Sequence, residues 1–143
     1  MYTIDQLALI TGLTTRTLRN YLKSGILAGS RDTGIWQFTE QQVSDFIAHP
    51  SVKPSIQAKQ KAIVYDFLAG QDNSDQEMCL MFHRRLPREE AAEISRFFCQ
   101  AAGSLSRIRF SYSYEEGTAH FILKGGEEQV FGLLKQLRQR FPC

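Results

Sequence analysis

Hydrophobic positions at the start of the chain recur every three or four residues, which is the spacing of one helix face. The first stripe consists of Ile4, Leu7 and Ile10. Thr3 and Gln6 precede it with the spacing of a capping box, and Gly12 after it suits a left-handed turn. The second stripe ends at Gly25 and consists of Leu18, Tyr21 and Leu22. The pattern therefore predicts two short helices joined by a tight turn.

Further along, two apolar arms flank the polar turn Asp32-Thr33-Gly34, which predicts a β-hairpin. The arms are Ile26-Leu27 and Ile35-Trp36-Gln37-Phe38. Thr39 and Gln42 repeat the capping-box spacing and open a third helix. A fourth helix is predicted over residues 55–69, followed by an acidic loop at residues 71–77.

From residue 78 the period changes to two, which predicts a strand. Met78, Leu80 and Phe82 alternate with Cys79, Met81 and His83, and because both sets are largely apolar we expect a central strand. A helix from Pro87 to Ala102, a hairpin that turns at Glu115-Glu116-Gly117, and a last helix follow. The inward positions predicted for that helix are Val130, Phe131, Leu134, Leu137 and Phe141.

These elements predict an α+β fold in three segments. Residues 1–48 form an N-terminal winged helix-turn-helix. Residues 49–76 hold a linker, HPSVKPS, and the connecting helix. Residues 77–143 form a small β-α-β-β-α domain. The chain has 143 residues, which is enough for one ordinary domain or two small ones.

Charge is distributed unevenly along a chain whose formal net charge is only +2. Residues 1–31 hold four basic side chains and a single acid, Asp5, whereas acids and bases balance over residues 61–143. A basic patch at one end is typical of a phosphate-binding surface. We expect no membrane span and no signal peptide, because no apolar run is long enough and no basic leader is present. Three widely spaced cysteines indicate reduced thiols in a cytoplasm.

The second predicted helix places basic residues opposite its apolar stripe. Arg16, Arg19 and Lys23 are three and four residues apart and share one face. Arginine can form paired hydrogen bonds with guanine or hold a phosphate, and a lysine near the helix end suits a phosphate. The residues predicted to contact double-stranded DNA are Thr14, Thr15, Arg16, Arg19, Asn20, Lys23, Arg31 and Trp36. The alternative is a solvated basic face without a ligand.

Four stretches of this region resemble the MerR family of bacterial transcription regulators. They are Tyr2-Thr-Ile-Asp-Gln-Leu-Ala, Thr11-Gly-Leu, Thr17-Leu-Arg-Asn-Tyr21 and Gly25-Ile-Leu27. The resemblance implies a winged helix-turn-helix whose second helix reads DNA, with Arg31 at the position of a wing arginine. Phe38 keeps the family's aromatic anchor, whereas Trp36 replaces an arginine. The phage excisionase type of the same fold is a competing match for residues 1–48.

The remaining part of the chain allows several interpretations. The resemblance implies a C-terminal part that senses an effector or dimerises. A pocket for a small-molecule effector is predicted from Phe110, Tyr112, Tyr114 and Phe121, and the alternative is an ordinary sheet face under two helices. The residue types that bind zinc or copper occur at Cys79, His83, Cys99, His120 and Cys143. Because no close cysteine pair occurs, we expect no metal, and without a catalytic motif we expect no cofactor and no enzyme.

A homodimer is expected because regulators of this kind bind two half-sites. The predicted stripe on the connecting helix consists of Ile56, Ile63 and Phe67, of which the first two lie one heptad apart. An Ile63→Asp variant is therefore expected to fold as a monomer, and pairing through a sheet edge is the alternative. Two other functions are an adaptor or anti-repressor that uses the winged helix only as a scaffold, and an architectural DNA-binding protein.

Overall fold

The computed structural model describes residues 1–70, 76–103, 105 and 107–142. These residues form both helices and strands, as the sequence predicts. In chain order the elements are β1 (Tyr2–Thr3), α1 (Ile4–Thr11), α2 (Thr15–Ser24), β2 (Gln37–Phe38), α3 (Glu40–Ala48), α4 (Lys53–Ala69), β3 (Glu77–Arg85), α5 (Arg88–Gly103), β4 (Arg109–Glu115), β5 (Thr118–Gly126) and α6 (Glu127–Arg140). Most of the predicted acidic loop at 71–77, and Cys143, lie outside the described residues.

The first two helices begin and end where their capping residues predict. The Thr3 hydroxyl accepts a hydrogen bond from the Gln6 N–H at 3.1 Å, and the Gln6 side chain accepts one from the Thr3 N–H at 3.0 Å. Gly12 follows α1 with a φ of 76°, and Gly25 follows α2 with a φ of 81°. Both angles lie in the left-handed region that glycine adopts most easily. A short turn at residues 12–14 therefore joins α1 to α2.

The hairpin predicted around Asp32–Gly34 has a different first arm. Backbone hydrogen bonds of 2.8 and 2.9 Å join Ser30 to Gln37, so Ile26-Leu27 does not form the arm. Leu27, two residues after Gly25, is instead buried in the core. A short apolar pair that enters the core has the same sequence pattern as the arm of a hairpin. β2 also pairs with β1. Each of these strands has only two residues, too few for an alternating pattern to predict them.

The second sheet has the strand order β3-β5-β4, with both pairs antiparallel. All nine residues of β3 pair with β5, from Glu77 opposite Gly126 to Arg85 opposite Thr118. The central strand is therefore β5, and the central position predicted for β3 is wrong within one chain. Alternation reports which faces of a strand are apolar, and it does not report how many strands lie beside it.

α5 and α6 cover one face of this sheet, which we call the inner face. The Phe98 ring of α5 lies 5.3 Å from the Phe110 ring and 5.7 Å from the Phe121 ring, measured between centroids. On α6, Val130 is buried whereas its neighbour Phe131 is 52% exposed. The predicted inward position of Phe131 is wrong, because consecutive residues of a helix point about 100° apart.

α4 lies across the opposite face of the sheet, the outer face, and also contacts α1 and α3. Lys53 forms an ion pair with Glu115 at 3.1 Å. Ile56 and Ile63 are buried against the rest of their own chain, and Phe67 is half-buried. The predicted stripe for helix pairing is corrected accordingly: its two isoleucines already belong to the interior of one chain.

The hydrophobic core is continuous from the first helices to the second sheet. α1 packs against β4 and α5. The Tyr2 hydroxyl reaches the Ser95 hydroxyl at 3.1 Å, and Arg96 forms an ion pair with Glu40 at 2.6 Å. Segment boundaries at residues 48 and 76 stay a prediction, but the N-terminal helices and the second sheet stabilise each other across this contact. Among the described residues, no helix combines the length and apolarity needed to cross a membrane.

Candidate nucleic-acid interface

α2 carries basic side chains on one exposed face. Arg16, Arg19, Asn20 and Lys23 are exposed, while Leu18 on the opposite side is fully buried. None of the four exposed side chains has an ion pair or a hydrogen bond with any residue that the structure describes, and α2 contains no acidic residue. The positive charges of this face are therefore not neutralised by nearby carboxylates.

The two threonines at the start of α2 differ in their availability. The Thr14 hydroxyl accepts a hydrogen bond from the Thr17 N–H at 3.1 Å, which caps the helix. Thr15 is the first helical residue and is half-buried. The Thr14 side chain therefore already has a structural role as the helix cap, separate from its predicted contact with DNA.

The loop at residues 29–36 presents an arginine beside an aromatic ring. The Arg31 guanidinium carbon lies 5.8 Å from the centre of the Trp36 ring, within the range of a cation–π contact. The Trp36 ring in turn lies nearly parallel to the Phe38 ring, with centroids 6.4 Å apart and an interplanar angle of 14°. Phe38 is fully buried, so the tryptophan is held against the core while Arg31 remains exposed.

This loop and α2 form the two walls of one groove of about 450 Å³. Arg19 and Lys23 line it from the helix, and Arg31 and Trp36 line it from the loop. The structure therefore brings together four of the predicted DNA-contacting residues, and Arg16 and Asn20 lie on the same exposed face of α2. Ile35 also lines the groove and is exposed, although sequence reasoning did not single it out. An apolar residue directly after the turn glycine is the signal that points to it.

The predicted effector pocket is not an open site. Phe110, Tyr112 and Phe121 are buried, and the Tyr112 and Phe121 rings lie 5.3 Å apart. Tyr114 is half-buried and donates a hydrogen bond to the Leu86 carbonyl at 2.8 Å. The four side chains fill the inner face of the sheet under α5, and this packing corrects the pocket assignment.

A different cavity lies between α4 and the outer face of the sheet. Its volume is about 380 Å³, and its polar lining includes Gln60 from α4 and Ser111, His83 and His120 from the strands. The two imidazole rings are 5.9 Å apart on neighbouring strands. Ser111 is buried, and its hydroxyl has no hydrogen-bond partner within the described part of the chain. We call this cavity the α4 cleft.

The described cysteine and histidine side chains that were predicted as possible metal ligands do not form a set of three, although His83 and His120 are neighbours. Among described residues, no three His, Cys, Asp or Glu side chains come close enough to hold a metal ion together. Burial raises the pKa of the Cys99 thiol to about 12, and burial also raises the pKa of Cys79 above its ordinary value. The thiolate form that binds metals is therefore disfavoured at both positions.

Comparison with known proteins places the groove in a recognised domain. No curated protein and no solved structure matches the chain. A model of the family described as MerR HTH family regulatory protein matches residues 2–46, which confirms the resemblance seen in the N-terminal third. The matched segment contains α1, α2, the 29–36 loop, β2 and most of α3. Residues 2–46 are therefore a helix-turn-helix segment of the MerR regulatory type, which indicates DNA binding and transcription regulation.

Proposed function

We propose that the chain is a non-enzymatic transcription regulator that binds double-stranded DNA as a homodimer in the cytoplasm. The observation that supports this most is the groove between α2 and the 29–36 loop. It combines unneutralised arginine and lysine side chains with a glycine-containing loop beside an amphipathic helix. We take α2 as the recognition helix and the loop as the wing of a winged helix-turn-helix.

The geometry of the groove assigns different roles to its residues. Arg16 and Arg19 project from the exposed face of α2, where they reach base edges once the helix lies in the major groove. Lys23 lies in the last turn of α2 beside the wing, and Arg31 is on the wing itself. These two positions suit phosphate oxygens, which fix orientation but carry no sequence information. Asn20 suits an adenine edge.

Selection of bound sequences from random duplex DNA tests the proposal. We expect enrichment of a motif with two-fold symmetry. Arg19→Ala should then weaken binding to the selected duplex by about 1–3 kcal/mol and relax the preference at one base position. Lys61→Ala, an exposed lysine on α4, is the matched control and should change affinity little. If folded chain enriches no sequence, the adaptor or anti-repressor function replaces the regulator; a motif without symmetry favours an architectural protein.

We propose further that the α4 cleft, and not the aromatic inner face, receives the effector. Its apolar walls come from Ile56 and Ile122, and its hydroxyl, amide and imidazole groups can donate hydrogen bonds, while the carboxylate of Glu115 in the lining is paired with Lys53. The buried Ser111 hydroxyl offers an unused hydrogen bond at the junction of the cleft with a second cavity of about 230 Å³. This chemistry suits a small aromatic molecule that carries a hydrogen-bond acceptor, such as an amide or a carboxylate.

Benzamide, benzoate and benzylamine serve as probes of equal size and different charge. In an amide-proton NMR titration, benzamide or benzoate should shift the signals of Ser111 and His120, and benzylamine should not. Ser111→Ala should weaken that binding several-fold, whereas Ser55→Ala on the exposed side of α4 should leave it unchanged. Equal shifts with all three probes, or shifts that Ser111→Ala leaves intact, would count against an effector site here.

A further inference from the structure

The unpaired edge of β3 and the neighbouring side of α6 form an apolar surface at the end of the second sheet. We propose that a second copy of this chain docks there, by antiparallel pairing of the two β3 strands about a two-fold axis at Met81. The proposal deepens the proposed function, on which its biological role rests, because it gives the homodimer an interface other than α4.

The edge itself is open for pairing. One side of β3 is bonded along its full length to β5, and its other side has no strand partner among the described residues. The other end strand, β4, is in contact with α1. The stretch from Met78 to Phe82 has neither charge nor proline, and an apolar edge of this kind is one that natural proteins protect unless it pairs, whereas Glu77, Arg84 and Arg85 place charges only toward the two ends.

The side chains of β3 are those of an interior strand. Met78, Leu80 and Phe82 lie on the inner face, and Cys79 and Met81 lie on the outer face. Met81 is 60% exposed at the centre of the strand. This explains why the sequence predicts a central strand that one chain leaves at the edge: with a second copy, β3 becomes one of two central strands in a six-stranded sheet.

The layer beside the edge has the same apolar character. Phe131 on α6 is exposed. A groove of about 460 Å³ between α6 and the edge has a mostly apolar lining, which also includes two arginines: Leu80, Phe82, Arg84, Leu134, Leu137, Arg138 and Pro142. α6 packs over both β3 and β5. An added strand stands about 4.8 Å from β3, so α6 and its symmetry mate are about 10 Å apart, which is a packing distance for helices. The exposed Phe131 side chain then fills the space between the two helices.

The register of the two paired β3 strands follows from the length of β3 and from the charges at its ends. Because Met81 is the middle residue of β3, only the register that places it opposite itself pairs all nine residues. That register sets Leu80 against Phe82 of the second copy. It also sets Glu77 against Arg85 of the second copy at both ends of the ladder, and opposite charges across a strand pair are favourable. Within its own chain the Glu77 carboxylate lies 3.1 Å from the buried Lys124 of the central strand β5, so strand length determines the register more than this charge pair does.

Sedimentation of the full chain tests the interface. The wild type should sediment at micromolar concentration with twice the 16.3 kDa mass of one chain. Met81→Lys and Phe131→Glu should each yield the single-chain mass with an unchanged helical CD spectrum. Leu68→Glu is the matched control, because Leu68 is 73% exposed on α4 and lies outside the proposed surface. A monomeric wild type, or dissociation by Leu68→Glu alone, overturns the proposal.

Oxidative cross-linking tests the register independently. Met81→Cys should form a covalent dimer above the background that the native cysteines give, since position 81 faces itself across the axis. Arg85→Cys should not, because in this register the two copies of position 85 lie at opposite ends of the ladder. The reverse result overturns the Met81-centred register.

DNA binding separates failure of the interface from failure of the proposed function. Met81→Lys should bind a duplex with two half-sites roughly a hundredfold more weakly than the wild type does. The two proteins should bind a duplex with a single half-site with equal affinity. A wild-type monomer that still binds through Arg19 refutes the interface and leaves the DNA-binding function. A Met81-dependent dimer that binds no DNA refutes the function and leaves the interface.

Discussion

An Ile63→Asp substitution tests whether α4 belongs to the interior of one chain or lies between two chains. Ile63 is only 6% exposed in the single chain. It borders the 230 Å³ cavity that Ile108 and Ala8 also line. The heptad spacing alone predicts a folded monomer for this variant, whereas the observed burial predicts loss of stability.

The magnitude follows from that position. Truncation of a buried isoleucine costs about 2–5 kcal/mol. The adjoining cavity gives water a route to the new carboxylate, so an aspartate avoids the full penalty for burying a charge. We therefore expect Ile63→Asp to lower the free energy of unfolding by about 3 kcal/mol. In a chain of this length the melting temperature should fall by roughly 10 °C.

Urea denaturation followed by far-UV CD, together with sedimentation, measures both possibilities. The variant should unfold at lower urea concentration with an unchanged m-value, and the fraction that remains folded should keep the wild-type mass. Leu68→Asp, on the exposed side of the same helix, should stay within about 0.5 kcal/mol of the wild type. An Ile63→Asp variant that melts like the wild type but has a smaller mass would refute the reasoning.

Three further predictions concern the N-terminal region. Tyr2→Phe should cost about 1 kcal/mol at pH 7 through its lost hydrogen bonds. Because burial raises the Tyr2 pKa from 10.0 to about 12, its stabilising contribution is complete below pH 10 and is lost as the pH rises toward 12, so the advantage of the wild type over Tyr2→Phe in urea melts should shrink above pH 10. Gly12→Ala should lower the melting temperature more than Gly25→Ala does. Both glycines have a positive φ, but only a Cβ at Gly12 comes within 2.8 Å of Lys59, and equal losses of stability would exclude this clash. Arg31→Ala should reduce the slope of log affinity against log salt concentration by about one unit. A loss of affinity that depends on the base at one position would contradict phosphate binding by Arg31.

Local signals in the sequence predicted the elements that local interactions determine. The capping boxes at Thr3 and Thr39 form as predicted, and α1 and α3 begin immediately after them. The turn at Glu116-Gly117 also forms where the sequence places it. Each depends on residues within four positions of one another, so the physical cause is contained in a short window of sequence.

Features that depend on distant residues could not be predicted in the same way. The strand order of the second sheet depends on pairing between residues far apart in the sequence, such as Glu77 with Gly126, and no alternation within β3 records this. The spacing of Ile56 and Ile63 likewise predicts an apolar stripe but does not identify what covers it. In the fold the cover is the chain's own sheet.

The same distinction between local and distant interactions applies to the candidate site. The charged face of α2 was predictable because helical periodicity places Arg16, Arg19 and Lys23 together without any tertiary information. The aromatic residues of β4 and β5 were misassigned because a sheet face under a helix and the wall of a pocket have the same alternating pattern. The α4 cleft was missed because its polar groups come from four elements, α4, β3, β4 and β5, which only the tertiary fold brings together.

The contact between the N-terminal helices and the second sheet limits how an effector can act. Because Tyr2, α1 and Glu40 are all fixed to α5, the groove between α2 and the 29–36 loop cannot rotate freely on a flexible linker. α4 contacts α1, α3 and the sheet, so it is the element through which a ligand in the α4 cleft reaches the groove. A shift of α4 would be transmitted to Gly12, at the turn before α2, where an added Cβ would lie only 2.8 Å from the Lys59 side chain. In the proposed regulator, an effector would therefore act through a small change in the pose of α2 relative to the β3 edge. In the proposed dimer, two copies joined at that edge would convert such a change into a different spacing between their α2 helices.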